Sequence, residues 1–282
     1  MNQLEQDIEQ RAHAKGLKMH LRAVSVHGST FRVATLRAST HARFSTNYFH
    51  DTWHVLTDDE GAQLLARMLW ALSFQRLPGT CVLIAGAHLV PTPFEADPAL
   101  PVLLMQDGLT RADVDAIATL DKRLRDDSPG TTIRFHTFGM PEKLRERESS
   151  NPPFMRYHEE KKHLYAREKM QRIGRFIVYS APPEILREQA LSIHGMHGGK
   201  YADYHNLAEC TGRRWTHSPP GEVQVFARFK DMVSAAQVAR REVIGTEVAA
   251  HLLTDDDERR HVQRRAELAR ARLDQARRHS PT

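Results

Sequence analysis

The six residues Thr80-Cys81-Val82-Leu83-Ile84-Ala85 form a continuous apolar run of strand length. A strand that offers water neither face belongs inside a sheet covered on both sides, and helices are the usual cover. The rest of the chain supplies both kinds of element. Residues 18–26, 31–38, 53–56, 102–105, 131–135, 176–179 and 223–229 read as strands. Helical patterns occupy 4–14, 110–125, 154–173, 183–193, 231–253 and 254–278, and another starts at a Thr57 cap and carries the stripe Leu64, Leu65, Met68, Leu69 and Leu72.

Strands alternating with helices define an α/β chain. The expected architecture is a mixed sheet with an N-terminal hairpin and flanking helices, then a second, smaller α/β module and C-terminal helices. A charged stretch from Met140 ends in Ser149-Ser150-Asn151-Pro152-Pro153 and reads as a boundary. It divides the chain into 1–148, 149–230 and 231–282, and no internal repeat is visible. In the N-terminal hairpin, Gly28-Ser29 suits a two-residue type II′ turn, which sets Val26 opposite Phe31, Val24 opposite Val33, Arg22 opposite Thr35 and His20 opposite Arg37.

At 282 residues, with 40% hydrophobic and 27% charged, the chain has the balance of a folded globular protein of about two domain-lengths. Cys81 and Cys210 stand far apart and form no C-x-x-C, which favours a reducing compartment over a disulfide scaffold or thiolate zinc site. The first residues lack a hydrophobic signal core, and no apolar run approaches the ~18 residues of a membrane span. A cytosolic protein with no membrane partner is expected.

Charge is distributed in blocks. Residues 11–50 contain Arg11, Lys15, Lys18, Arg22, Arg32, Arg37 and Arg43, five histidines and no acidic residue. Such a block is a candidate phosphate-binding surface. A second basic block at 154–175 interleaves Tyr157 and Tyr165 with Lys161, Lys162 and Arg167, a mixture that suits base stacking and phosphate neutralisation. The leading functional expectation is therefore nucleic-acid binding. Arg22, Arg32, Arg37, Lys161, Lys162 and Arg167 would contact phosphates, with Tyr157 and Tyr165 as stacking groups.

Two other readings rest on different segments. The loop 194–217 gathers His194, His197, Asp203 and His205 among glycines, with Cys210 and His217 beyond. Imidazole and carboxylate are ligands that divalent metals accept, so a metal-assisted or phosphate-handling hydrolase is an alternative. The spacing matches no zinc signature, and Gly199-Lys200 is not followed by the Ser or Thr of a Walker A loop. The third reading is an assembly subunit. Val262, Ala266, Ala269, Leu273 and Ala276 recur at heptad spacing along the last helix, a thin seam suited to packing on a neighbour or to homo- or hetero-oligomers.

Overall fold

The computed structural model describes residues 16–110, 112–124, 130–150, 160–199, 202–211, 214–215, 220–245 and 255–279. The expected helix at 4–14, Tyr157, Lys200 and His217 lie outside them. The chain opens with β1 (Leu17–Val26), β2 (Ser29–Leu36), β3 (Phe44–Phe49), β4 (Thr52–Thr57), α1 (Asp59–Ser73), β5 (Thr80–Ile84), β6 (Val102–Gln106), α2 (Val114–Leu124), β7 (Thr131–Phe135) and α3 (Met140–Ser150). It continues with α4 (Lys162–Tyr165), β8 (Lys169–Ile173), β9 (Phe176–Ala181), α5 (Pro183–His194), β10 (Asp203–Leu207), β11 (Cys210–Thr211), β12 (Arg214–Trp215), β13 (Gly221–Val225), α6 (Phe229–Gly245) and α7 (Asp255–His279).

The fold is mixed α/β. A seven-stranded sheet runs β7-β1-β2-β5-β6-β9-β8, and a four-stranded sheet runs β10-β13-β4-β3. The apolar run at 80–84 lies centrally and is wholly buried, as its composition requires. Helices α1 and α5 pack between the sheets. Leu65, Leu69, Ile185 and Ile193 share one core with Met19, Val82 and Leu104 of the larger sheet and with Val55, Val223 and Val225 of the smaller. Ile117 and Leu120 of α2 cover the opposite face of the larger sheet. Phe229 and Val233 of α6 cover Leu56 on the smaller. Val262 and Ala266 of the C-terminal seam are buried against Ala236, Ala239 and Val243 of α6. Among the described residues, no helix is long and apolar enough to cross a membrane.

Several local expectations are corrected. The first hairpin turns at His27-Gly28, both with positive φ, so the turn is of the I′ kind and glycine takes its second position. Val26 therefore pairs with Ser29, Val24 with Phe31, Arg22 with Val33 and His20 with Thr35. The register moves by two, so each side chain keeps its expected face. Asp58, not Thr57, caps α1, its carboxylate accepting from the Gly61 amide at 2.9 Å. The 140–150 stretch is a helix rather than a linker, supported along its exposed face by Glu142–Arg145 and Lys143–Glu146 pairs.

The 154–173 stretch is likewise not one helix. Its described part is the four-residue α4, then β8, in which Met170 and Ile173 are buried while Lys169, Gln171 and Arg172 are exposed. Gly174, at positive φ, turns the chain back into β9. Dense charge had hidden a strand whose buried residues are only Met170 and Ile173.

The registers reveal a duplication that the sequence conceals. Ser45 pairs with Leu56 in the β3–β4 hairpin, and Lys169 pairs with Ser180 in the β8–β9 hairpin, an offset of 124 at both residues (169 − 45 and 180 − 56). Each hairpin leads into a central helix, α1 or α5, and then into an antiparallel pair. Ile84 faces Val102 in one, and Leu207 faces Gly221 in the other. Val102 then pairs in parallel with Ile177, and Gly221 with Trp53, so each repeat's hairpin completes the other repeat's sheet. Across 44–73 and 168–197 the only identical residues are Glu60/Glu184 and Ala66/Ala190. Both sheets consequently draw strands from both sides of the expected 148/149 division. Within the two large sheets, β7-β1-β2, added to the edge of β5, has no counterpart among the described strands; β10, the partner of β5 in the duplication, is a sheet edge.

Candidate phosphate-binding face and a buried acidic cluster

Side chains alternate across a strand, so Lys18, His20 and Arg22 share the face of β1 on which Val24 and Val26 pack under α2. Beyond the apolar end, that face is basic. Lys18 stands directly opposite Arg134 of β7, and both are exposed. Arg37 follows one step beyond the last β1–β2 ladder pair, Met19 with Leu36, at the position opposite Lys18. Neighbouring strands lie about 4.8 Å apart, so Arg134 and Lys18 stand side by side, and Arg37, one residue past the end of β2, extends the row. None of the three makes an ion pair with a described residue. His20 and the half-buried Arg22 continue the row's face toward the core.

The other expected phosphate contacts do not join this face. Arg32 lies opposite Ala23, on the other side of the sheet, and donates to the Pro78 carbonyl at 2.7 Å. Lys161, Lys162, Tyr165 and Arg167 sit at or just before β8, the edge farthest from β7 and roughly 24 Å from β1 by strand count. Arg167 is paired with Asp107 at 2.7 Å, and Lys161 with Glu188. Tyr165 is buried and donates its hydroxyl to Glu188 at 2.6 Å, so it presents no stacking surface. The described parts of the two basic blocks thus lie on separate surfaces.

The described histidines of the loop are placed by separate partners. His194 ends α5, while the His197 amide and the Tyr204 amide donate to Asp203 at 3.2 and 2.9 Å. His205 is hydrogen-bonded through Nε2 to Gln189. Among the described residues, no group of three or more His, Cys, Asp or Glu side chains is placed to hold a metal. The loop's glycine amide at Gly198 donates to Asp59 at 2.7 Å, an internal carboxylate occupying the role foreseen for phosphate.

His205 instead belongs to a cluster not anticipated from the sequence. Glu168, just before β8, is almost fully buried. Its Oε1 accepts from the Tyr179 hydroxyl at 2.6 Å and from Gln189 Nε2 at 2.8 Å. Gln189 Oε1 then takes the His205 hydrogen bond, which requires a proton on His205 Nε2. Glu168 Oε2 is buried with no completed hydrogen bond; the Ala208 amide, on a backbone at φ 56°, favours its charge without reaching hydrogen-bond geometry. Burial pushes the Glu168 carboxyl up to about 7, against the opposing pull of Tyr179, Gln189 and Ala208. Burial first, then Glu168, holds the Tyr179 phenol well above its ordinary range.

A usable signal lay in α5. Glu188 and Gln189 interrupt the helical stripe of Ile185, Leu186, Ala190 and Ile193, where buried positions demand apolar residues. Outside this cluster, Cys81 is wholly buried and its thiol is pushed up to about 12, which leaves it unreactive. No family model matches the chain, and comparison with curated proteins and with solved structures found no match.

Proposed function

We propose that this protein binds nucleic acid through the β7-β1-β2 face, with Lys18, Arg37 and Arg134 as phosphate contacts and Arg22 and His20 beside them. One observation carries the reading: Lys18 and Arg134 on adjacent strands, and Arg37 one residue past the third, share a face without an ion-pair partner among the described residues. Like charges directly opposite in an antiparallel ladder destabilise it, so this arrangement opposes folding. A phosphate backbone supplies the missing counter-charge and releases its own counterions on binding. The strands that bear the row are also the part of the larger sheet that the duplication does not explain.

The test is binding of fluorescently labelled single-stranded and duplex oligonucleotides across a salt series. Affinity should fall as salt rises, with log K against log salt losing about 0.7 of slope per single-strand phosphate contact removed, or about 0.9 per duplex contact. The triple variant K18A/R37A/R134A should therefore flatten the slope by roughly 2 to 3. No binding at low salt, or an unchanged slope in a folded triple variant, overturns the assignment. Charge on the edge strand β7 then serves only to prevent sheet-to-sheet association.

A further inference from the structure

The duplication supplies an internal control for the buried residues of the matched hairpins, helices and strand pairs. With the offset of 124, Glu168 corresponds to Phe44, Tyr179 to Val55, Glu188 to Leu64 and Gln189 to Leu65. In the strand pairs, Thr80 corresponds to Asp203, an offset of 123 (203 − 80), so His205 corresponds to Val82. All five counterparts are apolar, and Phe44, Val55, Leu65 and Val82 are buried in the main core. The architecture therefore stands without polar groups at these positions. Burying four of them, with His205 half-buried beside them, is a cost specific to the second repeat.

We infer that Glu168 is a proton-binding switch: protonated, it closes the junction of β8, β9, α5 and the end of β10; ionised, it opens that junction. Geometry assigns the proton to one atom. Oε1 already accepts two hydrogen bonds, from Tyr179 and Gln189, and Gln189 is fixed in that orientation by His205 on its other end. Only Oε2 remains to hold the proton, and Oε2 is the atom left without a completed hydrogen bond.

Ionisation leaves a charge in this position, and none of the described groups that act on it is a cation. The groups acting on the carboxyl are Tyr179 from β9, Gln189 from α5, and Ala208 and Glu209 just after β10; His205 of β10 bonds Gln189 behind it, and Glu188 of α5 accepts from Tyr165. Tyr165 of α4 adjoins Tyr179, and Lys161 next to α4 is engaged by Glu188. Glu209 adds repulsion. The available relief is water, admitted by separation of the segment around Ala208, where a non-glycine backbone already sits in the left-handed region. A carboxyl pushed up to about 7 thus sits between two states of one junction.

Infrared spectroscopy of the full-length protein, with glutamate carboxyls isotopically labelled, reads the proton directly. A protonated-carboxyl band should be present at about pH 6, disappear by about pH 9 and be missing from E168Q. Hydrogen exchange reads the opening. After correction for intrinsic rates, amides of 203–208 should exchange about tenfold faster at about pH 8 than at about pH 6, and this ratio should vanish in E168Q. Gln189→Leu installs the residue found at the counterpart position, removes a donor to the ionised form and should move the titration upward. The inference is overturned if the wild-type band is missing at about pH 6, or if the exchange ratio is the same in wild type and a folded variant. Should E168Q not fold, the wild-type band and its shift in Q189L decide alone.

Discussion

Replacing Glu168 by Gln should change how the whole protein's stability depends on pH, and the size follows from the carboxyl's displacement from 4.5 to about 7. The folded state holds this proton more tightly than the unfolded chain, so the stability it contributes is complete below the unfolded value of 4.5 and is lost as pH rises through about 7. At about 1.36 kcal/mol per unit, the full loss is about 3 kcal/mol. Between about pH 6 and pH 8, the linkage relation gives a loss of about 1.3 kcal/mol. Glu168 is almost fully buried, so solvent screening does not reduce this figure. E168Q keeps a carbonyl for Tyr179 and Gln189, resembles the protonated acid and does not titrate. Urea denaturation of both proteins at the two pH values is the assay. The stability of wild type relative to E168Q should drop by about 1.3 kcal/mol from about pH 6 to about pH 8. The difference matters because burial holds His54 and His88 below the ordinary imidazole range, which raises stability with pH in both proteins alike. A wild-type-minus-variant difference that is flat across this range refutes the reasoning.

Tyr165→Phe should cost about 1–2 kcal/mol in denaturant unfolding, since it strips a buried hydrogen bond from Glu188. Gly198→Ala should destabilise by more than about 1 kcal/mol, because a Cβ there meets the Ala227 backbone nitrogen at 2.1 Å; a neutral result in a melting curve contradicts that packing. His27→Asn should raise the melting temperature modestly, by about 0.5 kcal/mol of stability, since asparagine tolerates the positive φ of the first turn position better than histidine.

Element type was legible where periodicity and burial agreed. The central strand at 80–84, the α1 and α2 stripes and the Pro-opened helix α5 all announce themselves in residue order. Two kinds of information were not legible. Turn register depends on which residue adopts positive φ, and His27 gives no advance sign of doing so. Sheet membership is non-local: β3 and β4 lie in one sheet and the next strand, β5, in the other, a crossing invisible to any windowed pattern. The basic row was partly legible. Lys18 and Arg37 stood in the basic block with their strands, but Arg134 arrives from more than a hundred residues beyond Lys18 through β7 pairing. Glu168 and Tyr179 resembled ordinary members of a charged stretch and a strand, because only tertiary contact reveals their shared site.

The duplication turns these separate failures into one physical argument. Two halves with almost no identical residues keep the same hairpin registers, helix positions and exchanged strand pairing. What they share is therefore set by apolar pattern and turn placement, which tolerate substitution as long as volume and face are kept. What they do not share is free of that requirement. The three added strands with their cation row distinguish the first half, and the buried Glu168 cluster distinguishes the second. Each difference opposes stability, one by like-charge proximity and the other by burying polar groups. Structural duplication predicts neither; the proposed phosphate contact would supply the counter-charge on the exposed face, and the inferred proton would neutralise the buried carboxyl.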